Sequence, residues 1–168
     1  MVDLIYKLKG YIDSSFQPDL DDSKSISRYV LTLYGGAVNW KSSKQQTVAD
    51  SIIEAEYIAA SEAAKETVWM KKFITELGVV PRIEQPVSLY YDNTEIVAQA
   101  KESRSHHKSK HILRWFHIIR EIVKRCDVIM EWVDIKNNIA DPFTKALSMQ
   151  QFDRHLDSMG IKYRGDWL

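Results

Sequence analysis

The spacing of hydrophobic positions changes character along the chain. Over residues 4–11, Leu4, Tyr6 and Leu8 alternate against Lys7 and Lys9, while residues 28–34 and 37–41 are β-branched and aromatic runs split by Gly35 and Gly36. This predicts a meander of three strands joined by turns, with the acidic stretch 18–24 as a longer loop between the first two. After Thr47 the period becomes helical. Asp50 or Ser51 can cap the segment, Ser51 with Glu54 fits a capping box, and Gly78 stops it with Pro81 beyond, which predicts a helix of about seven turns. Residues 87–91 are a short apolar run that ends in Asp92 and Asn93, a strand edge leading into another helix through Ala100. Ile112, Trp115, Phe116, Ile119 and Val123 recur at helical spacing, with Lys110, Arg114, His117 and Lys124 on the opposite face. Residues 126–133 read as a strand, and 140–147 and 150–159 as short helices. No repeat or low-complexity linker interrupts the order, so the expectation is one α/β domain over residues 1–168, with a mixed sheet flanked by helices.

Composition narrows the class. The 168 residues are 45% apolar and 27% charged, with 18 aromatics and few Gly or Pro, which excludes a disordered or fibrous chain. No window approaches the ~18 uninterrupted apolar residues of a membrane span, and the first residues lack a basic, then apolar, leader. Cys126 is the single cysteine, so neither an internal disulfide nor a multi-cysteine zinc site is available. A soluble intracellular protein, cytoplasmic or nuclear, is the expectation, with no membrane partner.

Net charge is zero, but it is unevenly placed. Between Lys101 and Arg125, eight Lys and Arg stand against Glu102 and Glu121, and four of the five histidines (His106, His107, His111, His117) fall in the same stretch with Trp115 and Phe116. Such a segment suits a phosphate-bearing partner, although a charged helix face that is merely solvated gives the same pattern.

Candidate chemistry lies in carboxylates. On the long helix, Ile52, Ala59 and Ala63 lie at −4, +3 and +7 from Glu56, which puts this carboxylate in the apolar stripe, whereas Glu54 points nearly the other way. A carboxylate placed there needs a cation, a metal or a hydrogen-bonding group opposite it, and a structural salt bridge would serve equally well. Asp13 stands near the end of the first strand, Asp92 at the end of a later one, and Asp141 before Pro142 in the manner of a helix cap. Each alone is an ordinary strand-end or capping Asp. Together, on two strands and two helices, they could gather on one sheet edge and hold two hard divalent cations. Two such ions ~4 Å apart activate a water and stabilise the leaving oxygen of a phosphodiester. No glycine-rich phosphate loop, zinc spacing or Gly-x-Ser-x-Gly elbow competes with that reading.

Six ordered blocks then carry a resemblance. They are Gly10-Tyr11-Ile12-Asp13 followed by Asp19; residues 35–42 with Gln45; Glu54-Ala55-Glu56-Tyr57-Ile58-Ala59; Tyr91-Asp92-Asn93; Ser109-Lys110-His111-Ile112; and Ile139-Ala140-Asp141 with Thr144 and Lys145, before Met159-Gly160. In these blocks, over almost its whole length, the chain resembles the ribonuclease H domain of copia-type LTR retrotransposon polyproteins. The resemblance implies a ribonuclease H-like fold, a five-stranded mixed sheet flanked by helices. It also implies an Asp, Glu, Asp, Asp quartet at Asp13, Glu56, Asp92 and Asp141, which holds two Mg²⁺ or Mn²⁺ ions. Ala59, the small residue three after Glu56, matches that family's helix, whereas Tyr57 does not do so for Glu54.

The implied activity is endonucleolytic cleavage of the RNA strand of an RNA:DNA hybrid, giving 5′-phosphate and 3′-hydroxyl ends. Ser51, Asn93, Thr144 and Lys145 are expected to touch sugar or phosphate, and Lys110, His111, Arg114 and Lys124 the backbone. The implied partners are the hybrid and a reverse transcriptase domain in the parent polyprotein, with the domain itself a monomer. Three features depart from the family. Arg28 replaces a small residue and threatens packing or a turn, Ile52 and Ile53 replace polar residues on the substrate side, and residues 134–138 lack the histidine many ribonucleases H carry there. Two alternatives stay in view: a catalytically decayed hybrid-binding module, or a structural domain that needs a reverse transcriptase partner, since the resemblance implies a domain normally fused behind one.

Overall fold

A computed structural model describes residues 6–16, 21–80, 83, 85–101, 110–143 and 148–162. Leu4, Pro18, Asp19, Pro81, His106, His107, Ser109, Thr144 and Lys145 lie outside the described residues, as does the side chain of His111. The described residues form five strands, β1 (Leu8–Ser15), β2 (Ile26–Leu33), β3 (Gly36–Lys44), β4 (Val87–Tyr91) and β5 (Val128–Trp132), and four α-helices, α1 (Ile52–Leu77), α2 (Thr94–Lys101), α3 (Lys110–Lys124) and α4 (Met149–Ser158). The strands make one sheet in the order β3-β2-β1-β4-β5. β1, β2 and β3 pair antiparallel, while β4 joins β1 and β5 joins β4 in parallel, which is the expected five-stranded mixed sheet.

The first strand lies further along the chain than alternation suggests. All eight residues of β1 pair with β2, from Leu8↔Leu33 to Ser15↔Ile26, so backbone bonding carries the strand through polar Asp13, Ser14 and Ser15, where side-chain hydrophobicity gives no strand signal. The β2–β3 hairpin turns on Tyr34 and Gly35, both at positive φ (53° and 82°), the mirror-image turn that suits twisted strands. Of the short helix expected over residues 140–147, the described part is a 3-10 turn at Asp141–Phe143, preceded by another at Ile135–Asn137, and residues 144–147 lie outside the described residues.

Helix α1 begins and ends as its sequence predicts. The Ser51 hydroxyl accepts from the Glu54 N–H at 3.1 Å, and Gly78, at φ 66°, donates its N–H to Thr75 O. Its inner face is largely alanine (Ala55, Ala59, Ala60, Ala63, Ala64), and these short side chains let the helix lie close against the sheet. The main core forms where α1, α2 and α3 meet one sheet face, around Ile12, Leu31, Leu89 and Met130 with Phe116, Ile119 and Ile122 of α3. On α3 the deepest residue after Ile119 is therefore Ile122, with Val123 only half-buried. A second cluster on the other face joins Val30, Ile139, Ala140 and Met159, flanked by Tyr11 and Ala37. The end of α4 is pinned there by a bond from Ala37 N to Met159 O at 2.8 Å, and Gly160 passes so close that a Cβ would stand 2.8 Å from Gly35 O.

Candidate active site

Two parallel strands set the centre. Ile12 and Tyr91 are the last register partners of β1 and β4, so the next residues, Asp13 and Asp92, leave the two strand ends side by side. Side chains alternate along a strand, which puts Asp13 on the same face as Tyr11 and puts Arg28 with Val30, facing the segment of Ile139 and Ala140. That segment is fixed by Asn138, which is fully buried. Its Nδ2 donates to Ile12 O at 2.7 Å, its Oδ1 accepts from Ala140 N at 3.1 Å, and its carbonyl accepts from Asp141 N at 3.1 Å. One buried amide thus ties Asp141 to the strand that carries Asp13.

Glu56 enters from α1. Asn93 Nδ2 donates to Glu56 Oε2 at 2.6 Å, while Asn93 Oδ1 caps α2 by accepting from Ile96 N at 3.0 Å. Glu56 is half-buried, at the edge of the apolar stripe rather than in its middle. Glu54 does not point away from the protein as its helical angle suggests; it is 5% exposed, with its Oε2 accepting from Asp50 N at 2.9 Å. The first turn of α1 is covered by residues 47–50 and by Trp115, so position on the helix wheel does not decide burial there.

The carboxylates sense one another. Burial, followed by the like charge of Asp92 and then that of Asp141, pushes Asp13 up to about 7 against the opposing pull of Arg28. Burial also raises Glu56, with Asp92 and Glu95 adding to the rise and the Asn93 bond holding it back. Below them Tyr91 is fully buried, its hydroxyl 3.1 Å from Ser14 Oγ, and burial and the surrounding carboxylates keep its phenol protonated. The quartet is uneven, with Asp13 coupled to Asp92 and Asp141, and Glu56 to Asp92. Among the described residues no three His, Cys, Asp or Glu side chains stand close enough to hold a metal ion as they are placed.

Arg28 is the main correction to the sequence expectation. It lies within a strand rather than in a turn, as the register partner of Asp13, 4% exposed, with Nη1 3.5 Å from Asp13 Oδ2. Asp13 and Asp141 both act on its charge and resist the effect of burial.

The remaining candidates divide into groups. Ser51 is the cap of α1, and Asn93 is engaged through both ends of its amide. Lys110 and Arg114 border a cleft with Thr47, Asp50, Glu54 and Trp115, two residues from Glu56 along α1, whereas His117 and Lys124 border another cleft with Lys101 of α2. The polar face of α3 is exposed as expected, but Lys110 and Lys124 are about 20 Å apart along it. Ile52 and Ile53 are exposed at the start of α1. Sequence reasoning missed Asn138 and also His155, a buried side chain of α4 near enough to Asp141 for that charge to act on it. A histidine outside the expected loop, and an asparagine just before a motif, gave no local signal.

No protein-family model matches the chain. The chain is 36% identical over 154 residues to the retrovirus-related Pol polyprotein from transposon TNT 1-94 of Nicotiana tabacum, a match covering 92% of this chain and 11% of that polyprotein. It is 30% identical over 154 residues to the corresponding polyprotein from transposon RE1 of Arabidopsis thaliana, covering 92% and 10%. The chain spans about a tenth of the length of the curated relatives it matches. Among solved structures it is similar to LC11-RNase H1 in complex with RNA/DNA hybrid, with a TM-score of 0.60 at 17% identity over 81% of this chain and 92% of that one. By sequence the chain is homologous to a segment of the retrovirus-related Pol polyproteins of transposons, and by fold it is a ribonuclease H-like domain.

Proposed function

We propose that this domain is a metal-dependent endoribonuclease that cleaves the RNA strand of RNA:DNA hybrids and leaves 5′-phosphate and 3′-hydroxyl ends. The observation that supports this reading is that Asp13 and Asp92 follow the last paired residues of β1 and β4, that the charges of Asp92 and Asp141 both act on Asp13, and that Asp92 acts on Glu56 of α1. A donor set made wholly of carboxylate oxygens suits Mg²⁺ or Mn²⁺ in type, and a divalent ion would offset the burial and the neighbouring like charges that disfavour the ionised form of Asp13. Asp13 with Asp141 would hold one ion, and Asp13, Glu56 and Asp92 the other. When bound, two such ions supply an activated water and charge stabilisation of the leaving oxygen.

The rest of the chemistry belongs to side chains on the page. Asn93 orients Glu56, Asn138 keeps Asp141 against β1, and Lys110 and Arg114 offer positive charge beside the start of α1 where a phosphate backbone would pass. The homologous polyproteins are about ten times longer than this chain, and a reverse transcriptase segment of such a polyprotein is the protein partner this reading expects. The second reading, a non-catalytic hybrid-binding module, is favoured by one observation, the buried Arg28 against Asp13.

The test is incubation of a labelled RNA:DNA hybrid with the protein and Mg²⁺, with Asp13→Asn as control. Cleavage by the unaltered protein alone, lost in excess chelator and poorly supported by Ca²⁺, is the expected result. Cleavage undiminished by chelator removes the metal-dependent mechanism, and tight hybrid binding without any cut moves the function to the binding module.

A further inference from the structure

Asp13 is the carboxylate common to both expected ion positions, and it is already beside a cation. Arg28 and Asp13 are register partners on adjacent strands, they project from the same sheet face, and both are buried, at 4% and 8% exposure. The Nη1 to Oδ2 separation is 3.5 Å, an ion pair that leaves the Asp13 Oδ2 atom without a hydrogen bond. Asp141 also acts on the guanidinium, so the charges of two carboxylates of the expected quartet favour its charged form. A guanidinium stays charged in any protein environment, and burying it is costly unless anionic partners surround it.

We propose that Arg28 is a built-in counter-ion of the carboxylate cluster, a positioning residue that competes with divalent cations for Asp13 and so sets how much metal the site requires. This rests on the metal-dependent reading above and deepens it. An ion ligated by the same Asp13 oxygen would meet a fixed positive charge only a few ångströms away, and like charges at that range inside a protein repel strongly. The same contact neutralises part of the cluster in the metal-free protein, so Arg28 stabilises the empty site while weakening its affinity for metal.

Calorimetric titration with Mn²⁺ tests this on the whole chain and on Arg28→Gln, which removes the charge and keeps most of the length, and Arg28→Lys, which keeps the charge. Arg28→Thr, β-branched and suited to a strand, replaces the Gln variant if that does not fold. The expected result is Mn²⁺ binding at least about tenfold tighter in the uncharged variant than in the unaltered protein, little change in Arg28→Lys, and a larger rise of melting temperature on adding Mn²⁺ to the uncharged variant. Equal Mn²⁺ affinity in the unaltered and uncharged forms, including no binding by either, overturns the inference. Hybrid cleavage is scored separately. An uncharged variant that binds Mn²⁺ more tightly yet cuts nothing leaves the role of Arg28 standing and removes the enzymatic reading, whereas cleavage with unaltered metal affinity does the reverse.

Discussion

Asn93 holds Glu56 in place while capping the next helix: its Nδ2 donates to Glu56 Oε2 at 2.6 Å and its Oδ1 accepts from Ile96 N at 3.0 Å. One side chain therefore links the start of α2 to the α1 carboxylate, and its two roles can be separated. Asn93→Ala loses both bonds and should lower stability by about 1 kcal/mol through the lost cap. Asn93→Asp keeps an acceptor for the cap but sets a carboxylate against Glu56, so it should fold about as firmly as Asn93→Ala or better and cleave hybrid roughly tenfold or more worse than the unaltered protein. Urea melts and initial cleavage rates measure the two effects, and full activity in Asn93→Asp would show that Glu56 needs no such support.

Removing a carboxylate from the strand ends should separate activity from folding. Asp92 is, after burial, the largest upward influence on Asp13, so Asp92→Asn relieves repulsion in the metal-free protein and should leave it equally or slightly more stable. Its cleavage rate should fall roughly a thousandfold, about 4 kcal/mol of barrier, as expected for loss of a metal ligand. Glu56→Gln should fall comparably. Glu54→Gln should not, because a glutamine oxygen can still accept from Asp50 N. Loss of activity in Glu54→Gln with none in Glu56→Gln would move the α1 member of the quartet to Glu54.

The pH dependence follows from Asp13. Its ordinary value is 3.8, and in the folded protein it is pushed up to about 7, so between those limits the folded state keeps a proton that the unfolded state releases. Stability contributed by this group is thus complete at the acid end and is lost as pH rises toward about 7. His155 works in the opposite sense, since burial holds it below its ordinary 6.5 and folding disfavours its charged form as the medium is acidified. The difference between the unaltered protein and Asp13→Asn isolates the Asp13 part. In chelator, the stability of the unaltered protein relative to Asp13→Asn should decline from about pH 4 to about pH 7 and then level. A difference that is flat over this range would mean that Asp13 is not held protonated in the metal-free fold.

On α3, the exposed Lys110, Arg114 and Lys124 should contribute to hybrid affinity through phosphate contacts. Neutralising all three should flatten the slope of log affinity against log salt by up to ~2–3 units, with Lys110 and Arg114 accounting for most of it because they border the cleft beside the start of α1. An unchanged slope in the triple variant would make this face a solvated one only.

The sheet, α1 and the two-sided character of α3 were legible because each depends on local periodicity or on caps such as Ser51 and Gly78. The polar end of β1 was not, since Asp13, Ser14 and Ser15 are held by pairing with β2, and pairing register leaves no mark on one strand's own sequence. For the same reason Arg28 looked like a threat to packing: only the register sets it opposite Asp13. Asn138 acts on Ile12, 126 positions earlier, a distance that no spacing argument bridges. Helical angle picked out Glu56 but misjudged Glu54, whose burial comes from the chain folding over the first turn of α1.

On the proposed function, the site should cut RNA only where it is paired with DNA. A hybrid carries 2′-hydroxyls on one strand and an A-like minor groove, which proteins read by shape and by sugar contacts rather than by base sequence. The most direct measurement offers RNA:DNA, RNA:RNA and DNA:DNA duplexes of one sequence at equal concentration, in Mg²⁺ or Mn²⁺, and follows each strand separately. Efficient cleavage of the RNA strand of the hybrid alone is the predicted result. Equal cutting of all three duplexes, or binding of the hybrid with no strand cut, would contradict it.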